Sequence, residues 1–323
     1  MERIDIVASL DNRFVMTTGV MMYSVCVNNP DTEIVFHLLV DKSVVETEKK
    51  SLMETVTAFP GKKIVFYDID GNSVKHYGKK RKNDNCISLA TFYRLRISDI
   101  LPHDLHKALY LDGDIIVRYS LLQLWQINID GIPLAAIPAH LSCQESIYKR
   151  LGYPYKYGYF NAGVMLVNLD YWREHEVTKL FSDYIMGVKE KLIYGDQDIL
   201  NAVFYDKKRL LSVKYNLSSG FLHPWVKLHD GINREDLEEA KKDPVIIHYT
   251  LGKPWLRWDN HPDTHPYAST FFKYQQQTCW KDWPIEDRRP LDMRIRHFTA
   301  NLLRKLKLKL PAAHNYISLP PID

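Results

Sequence analysis

Residues 107–117 read KALYLDGDIIV, an apolar strand that runs into two aspartates, Asp112 and Asp114, with only Gly113 between them. In an α/β fold, ligands sit at the C-terminal end of a parallel strand. Two carboxylates at such an end, spaced by a small residue, can hold one hard divalent cation that keeps open positions for the phosphate oxygens of a nucleotide. The alternative is an acidic turn after a strand, since Asp-Gly is a common turn signal.

The flanking pattern says what kind of sheet receives this strand. Residues 4–8, 34–40, 63–67, 134–138, 163–167 and 245–249 are β-rich apolar runs, and residues 15–27, 91–100, 172–191 and 196–205 read as helices. Strands alternating with helices imply βαβ units and a largely parallel sheet, an α/β fold. With 323 residues the chain can form one large domain and an appendage. Composition shifts near Trp283, so we expect a domain over 1–283 and a tail over 284–323.

A formal net charge of +4 is too small to argue for a nucleic-acid partner. The opening residues, MERIDIVASLDNRF, carry no signal-peptide pattern, and no run approaches the roughly 20 apolar residues that span a bilayer. Cys26, Cys86, Cys143 and Cys279 are scattered with no CxxC pair, which indicates neither a zinc site nor a disulfide framework. A reducing cytoplasm is the compartment expected. Residues 288–310 hold eight Lys or Arg against one acid, Asp292. Ile295, Phe298, Leu302, Leu306 and Leu310 recur there at spacings of three and four, while Arg294, His297, Asn301, Arg304 and Lys305 lie largely off that stripe. A basic amphipathic helix of this kind suits an anionic membrane surface; the alternative is a terminal helix packed on the domain with a solvated basic face.

Several clusters carry candidate chemistry. In VIIHYTLGKPW, His248 ends an apolar run as Asp112 does, Gly252 lets backbone approach a ligand, and Lys253 offers a point charge to a phosphate. In YFNAGVMLVN, Asn161 is followed by two small residues before a strand, which fits recognition of sugar hydroxyls or a simple turn. In GDQDILN, Asp196 can cap the next helix, and Asp196, Gln197 and Asp198 together offer two carboxylates and an amide to a hexose or its reacting carbon. Arg94 in ATFYRLRI can reach a diphosphate or order the loop beneath it. Residues 8–12 follow the first strand, where Asp11 or Asn12 can read a base or ribose edge. Neither GxGxxG after that strand nor GxxxxGK[ST] is present, which argues against a dinucleotide dehydrogenase and a P-loop NTPase.

Taken together, DIVASLDN, TFYRLRI, ALYLDGDIIV, YFNAGVMLVNL, YGDQDILNAVF and HYTLGKPW resemble glycosyltransferase family 8 in order, spacing and character across residues 4–255. Within that family the likeness is greatest to bacterial lipopolysaccharide and lipooligosaccharide enzymes; the glycogenins are also members. The resemblance implies a GT-A fold with a Rossmann-like, mostly parallel central sheet flanked by helices. It also implies a UDP-hexose donor, manganese or in its place magnesium, and retention at the anomeric carbon. Carried over by position, Asp112, Asp114 and His248 would be the metal ligands of a DXD motif. Ala8 and Asn12 would line the uridine pocket, and Arg94 and Gly113 would contact the donor. Asn161, Ala162, Asp196 and Gln197 would bind the hexose, and Gly252 and Lys253 the diphosphate.

For catalysis, a front-face route is favoured over a double displacement; Asp198 is the nearest carboxylate for the latter, and Gln197 is a poor nucleophile. The acceptor implied is a glycan or lipid-linked glycan at the inner face of the cytoplasmic membrane, reached by a peripheral enzyme whose basic tail binds that membrane. The chain departs from relatives at Leu10-Asp11, at Arg13, at Cys86 and in a shorter 248–253 loop. Two alternatives are a glycogenin-type self-glucosylating enzyme and a non-catalytic sugar-nucleotide or glycan-binding module. The second predicts loss of at least one of Asp112, Asp114, His248 or Lys253, and all four are present.

Overall fold

Two β–α–β steps open the chain: β1 (Arg3–Leu10), α1 (Val15–Asn28), β2 (Glu33–Val40), α2 (Glu46–Thr57) and β3 (Lys62–Asp68). β2 lies parallel to β1 and β3 parallel to β2. β4 (Lys107–Leu111) then joins the other side of β1, also parallel. After it come β5 (Ile115–Val117), β6 (Leu134–Pro138), β7 (Phe160–Asn168), β8 (Arg209–Leu210), β9 (Leu217–Ser218) and β10 (Ile246–His248). The main sheet has the order β3-β2-β1-β4-β7-β6-β8, with β7 antiparallel to both of its neighbours, and a second sheet has the order β5-β10-β9. This computed structural model describes residues 2–74, 77, 89–188, 191–257, 265–287, 291–306, 316, 317 and 319.

The boundary between β1 and β4 is where the strand order reverses, and such a switch point opens a crevice at the carboxyl ends of the strands. β1 and β4 pair only at Ile6–Leu109 and Val7–Tyr110, whereas β1 stays paired with β2 as far as Leu10. Alternation along each strand sends side chains to two cores. Ile4, Ile6, Ala8 and Leu10 of β1 and Leu109 and Leu111 of β4 face one core, with α1 and α2; Val7, Ala108 and Tyr110 face the other. α1 is buried from Val15 to Met22 without a break, as expected of a helix that is apolar nearly all round.

Local structure departs from the sequence expectations in places. Residues 91–100 form a 3-10 run, Leu89–Arg96, and then a single α turn, Ile97–Ile100. Residues 172–188 belong to two helices, Leu169–Glu174 and Val177–Val188, separated at Glu176, whose φ is 45°. The segment 216–234, motif-free in sequence, carries β9, a 3-10 turn (Ser219–Leu222) and the start of the helix Arg234–Lys242. By position and composition, residues 72–85 and 216–234 suit loops that close over donor and acceptor; of the first, residues 75, 76 and 78–85 lie outside the described residues, as does Cys86. The basic segment forms a helix, Leu291–Lys305; residues 288–290 and 307–310, Leu310 among them, lie outside the described residues. Tyr316 belongs to the first core, and Ile317 and Leu319 pack against it.

Candidate active site

Asp112 continues β4 by one residue, its N–H donating to the Gly163 carbonyl at 2.8 Å. By alternation its side chain falls on the face of Tyr110, where Arg94 lies. The buried Arg94 guanidinium donates to Asp112 Oδ1 (2.7 Å) and to the Ala162 carbonyl (2.8 Å), and its Nε is 3.0 Å from Asp196 Oδ2. Thr91 Oγ1 donates to the other Asp196 oxygen at 2.7 Å. The 3-10 winding of 89–96 brings Thr91 and Arg94 to the same carboxylate, with Arg94 Nε donating back to the Thr91 carbonyl. The Arg94 guanidinium also lies over the Tyr110 ring, 4.4 Å from its centroid, and the Tyr110 hydroxyl meets Ser9 Oγ of β1 at 2.7 Å across the opening crevice.

Burial opposes the Arg94 charge, but Asp112 and Asp196 more than restore it. Burial raises the Asp196 carboxyl, and Arg94 only partly offsets this, so Asp196 stays above its ordinary range.

The chain turns out of the main sheet at Gly113 and enters β5, which pairs antiparallel with β10 so that His248 lies opposite Ile115. The Tyr249 N–H closes the turn on the Asp114 carbonyl at 3.0 Å. His248 Nε2 thereby comes within 3.1 Å of Asp114 Oδ1 and 3.7 Å of Asp112 Oδ2. Lys253 donates to the other oxygen of Asp114 and to the Tyr249 carbonyl (3.2 Å). Burial alone would raise the Asp114 carboxyl; the charges of Lys253 and His248 outweigh it and hold it well below the usual carboxylate range.

This donor set fits a divalent cation. The ligand atoms of Asp112, Asp114 and His248 all lie within 4.8 Å of one another. Room for them depends on Gly163, where a Cβ would lie 2.2 Å from His248 Cε1 and 2.7 Å from Asp112 Oδ2. Two backbone amides also fix the imidazole. Gly163 N–H donates to Asn161 Oδ1 (2.9 Å) and Ala162 N–H to Gln197 Oε1 (3.1 Å), which orients both side-chain amides. Asn161 Nδ2 then donates to Gln197 Oε1 (3.1 Å), Asn216 Nδ2 donates to Asn161 Oδ1 (2.8 Å), and Asn216 Oδ1 is left to accept from His248 Nδ1 (2.9 Å). With a cation bound, the Asn216 bond would keep the ring hydrogen on Nδ1 and leave the Nε2 lone pair for the metal.

One bonded network thus unites Arg94, Asp112, Asp114, Asn161, Ala162, Asp196, Gln197, His248 and Lys253. Gly252, with φ of 60°, precedes Lys253 in the adjoining loop. Ala8 and Asn12 stand at the β1 side of the crevice. The Ala8 side chain is wholly buried in the core, so only its backbone can border a ligand, while Asn12 is exposed and its N–H donates to Ser43 Oγ (3.0 Å). Arg13 is held by Asp11 at 2.7 Å.

Asp198 is drawn elsewhere. Fully buried, it accepts from both Arg150 Nη atoms (2.6 and 3.1 Å), Tyr159 Oη (2.8 Å) and the N–H groups of Ile193 (2.7 Å) and Tyr194 (2.8 Å). Those bonds tie the start of its helix to the tyrosine-rich segment, a structural task. Sequence reasoning gave Asn216, Thr91, Tyr110 and Gly163 no role. For Asn216 no local signal existed, since its partners come from strands 55 and 32 residues away.

A family model described as glycosyl transferase family 8 matches residues 5–259. The chain belongs to that family. As a family 8 glycosyltransferase it is 27% identical to general stress protein A of Bacillus subtilis over 86% of this chain and 95% of that protein. It is 26% identical to the lipopolysaccharide 1,3-galactosyltransferase of Salmonella typhimurium over 86% of this chain and 80% of the relative. Its fold matches the crystal structure of the galactosyltransferase LgtC, solved with donor and acceptor sugar analogues, with a TM-score of 0.75 and 26% identity over 91% of this chain and all of that one. The GT-A fold expected of a family 8 member is therefore the fold observed, and the chain is an enzyme rather than a non-catalytic module.

Proposed function

We propose that this glycosyltransferase moves a hexose, glucose or galactose, from UDP to a hydroxyl of a glycan acceptor, with metal assistance and retention of anomeric configuration. The observation that carries the reading is the convergence of Asp112, Asp114 and His248 on one point, with the Lys253 ammonium beside them. Relatives named as lipopolysaccharide galactosyl- and glucosyltransferases support a hexose donor and a glycan acceptor. Manganese, or magnesium in its place, would be held by the two aspartates and the histidine and would supply Lewis-acid neutralisation of the leaving diphosphate.

The chain's own residues do the rest. Lys253 brings positive charge to the departing diphosphate. Arg94 locks Asp112 and Asp196 in place, so the carboxylates need not reorganise as the charge moves. Asn161, Gln197 and Asp196, at the start of β7 and of the facing helix, offer the hexose its hydroxyl partners. The bond from the anomeric carbon to the phosphate oxygen breaks as the acceptor oxygen bonds on the same face, and the acceptor proton passes to the departing phosphate oxygen. A double displacement needs a carboxylate free to attack, and the five bonds to Asp198 leave it none of that freedom.

The helix Leu291–Lys305 supports a membrane role. Leu291, Ile295, Phe298, Leu302 and Leu306 are exposed at helical spacing, Phe298 by 72%, next to exposed Arg294 and Arg296. Among the described residues no helix is long and apolar enough to cross a membrane. An anionic lipid surface satisfies both the apolar stripe and the arginines, placing a peripheral enzyme at the cytoplasmic face, beside lipid-linked acceptors.

The deciding experiment is UDP release from UDP-glucose, UDP-galactose and UDP-N-acetylglucosamine, with and without manganese. Manganese-dependent turnover of one donor is expected. Asp114→Asn should lower kcat by about 100-fold or more, whereas Asp198→Asn should chiefly lower the melting temperature. A chain that binds no UDP would sink the reading.

A further inference from the structure

The loop that carries Lys253 is shaped from the far end of the chain. Leu251 N–H donates to Ser219 Oγ at 3.2 Å, and Lys253 ties the loop to Asp114. The third support is Tyr316. A Cβ added at Gly252 would lie 2.3 Å from Tyr316 Oη, 3.2 Å from Cζ and 3.3 Å from Cε2, so the ring edge is seated against the Gly252 backbone. Tyr316 is only 6% exposed. Its ring stacks on His223 (centroids 5.1 Å apart, planes 11° apart), His223 stacks in turn on Trp225, and the His265 ring lies 5.4 Å away. Ile317 N–H donates to the Leu222 carbonyl at 2.9 Å and anchors the segment from behind.

We infer that Tyr316 is a positioning residue for the diphosphate loop. It touches no reacting atom; it holds the Gly252 backbone at the height from which Lys253 reaches the metal-side carboxylate and, with donor bound, the diphosphate. A residue beyond the basic helix thus belongs to the donor site. Three independent contacts fix it: Tyr316 leaves no room for a Cβ at Gly252, imidazoles hold the ring on two sides, and a backbone hydrogen bond pins the next residue. The inference rests on the proposed UDP donor.

Its test separates the diphosphate from the nucleoside. Manganese-dependent UDP affinity is measured by calorimetry and uridine affinity by NMR titration, for the full chain, for Tyr316→Ala and for Tyr316→Phe. Misaligning one charged contact should weaken UDP binding by about tenfold in Tyr316→Ala and leave uridine binding unchanged, with Tyr316→Phe close to the parent. Equal UDP affinity in Tyr316→Ala and the parent overturns the inference. So does a parallel loss of UDP and uridine, which would mark general damage to the site. Should the parent bind no UDP, the donor reading falls first and this inference with it.

Discussion

At the scale of single residues the site is governed by what is missing as much as by what is present. Gly163 keeps its place because a methyl group there would press on both His248 and Asp112. Gly163→Ala should therefore weaken manganese binding by about tenfold or more, since one of these side chains must be pushed aside; manganese titration followed by electron paramagnetic resonance reads this directly. The residues of the Asp112, Asp114 and His248 cluster are legible in sequence, because an Asp-Gly-Asp at a strand end and a histidine at another strand end advertise themselves locally. In sequence Gly163 is only a small residue before a strand and Asn216 carries no signal at all, since each acts through a partner brought by another element. Asp198 sits in the same turn as Asp196 and Gln197, yet helix geometry sends its carboxylate to Arg150 and Tyr159, which the local sequence does not reveal.

Among elements, the strands were the most readable part of the chain, since apolar runs of five to eight residues leave little else for a doubly covered sheet. The helices were read less well where tertiary bonds override periodicity: the 89–96 segment tightens into a 3-10 run in which Thr91 and Arg94 share Asp196. The joint between the second sheet and the segment around Tyr267 is where acid should act. Tyr267 N–H donates to His265 Nδ1 (3.2 Å), so the ring hydrogen resides on Nε2 and points at Ser219 Oγ (3.1 Å). A second ring proton would face that N–H head-on, and burial, with the nearby His223, lowers His265 from 6.5 to about 3. The unfolded chain takes up this proton below about 6.5 and the folded chain declines it until about 3. Stability from this group is therefore complete above that window and is lost as pH falls through it, on the order of 2 kcal/mol by pH 5. His140, lowered to about 4 by burial, adds to the same trend. Thermal melting between pH 7 and pH 5 measures the slope, and His265→Gln, which cannot take the proton, should melt lower at pH 7 yet fall less steeply.

For the whole molecule, the tail is the part whose role depends on its surroundings. Replacing both Ile295 and Phe298 by Glu should release the protein from vesicles containing phosphatidylglycerol, because each exposed apolar side chain that inserts contributes about 1.5–3 kcal/mol; co-sedimentation at low and high salt would show it, and unchanged retention would remove the membrane from the account. A last consequence concerns synthesis. β10 is the middle strand of the second sheet, and β5, which leaves the aspartate turn, has no partner there until β10 arrives. Roughly 130 residues separate the two strands, which at ~5–20 residues per second is a wait of about 6–26 s on the ribosome. During that interval an apolar strand edge, Ile115–Val117, stands open. Asp112 and Asp114 are thus made long before His248, and the cluster the three form stays in two pieces while that strand edge is open.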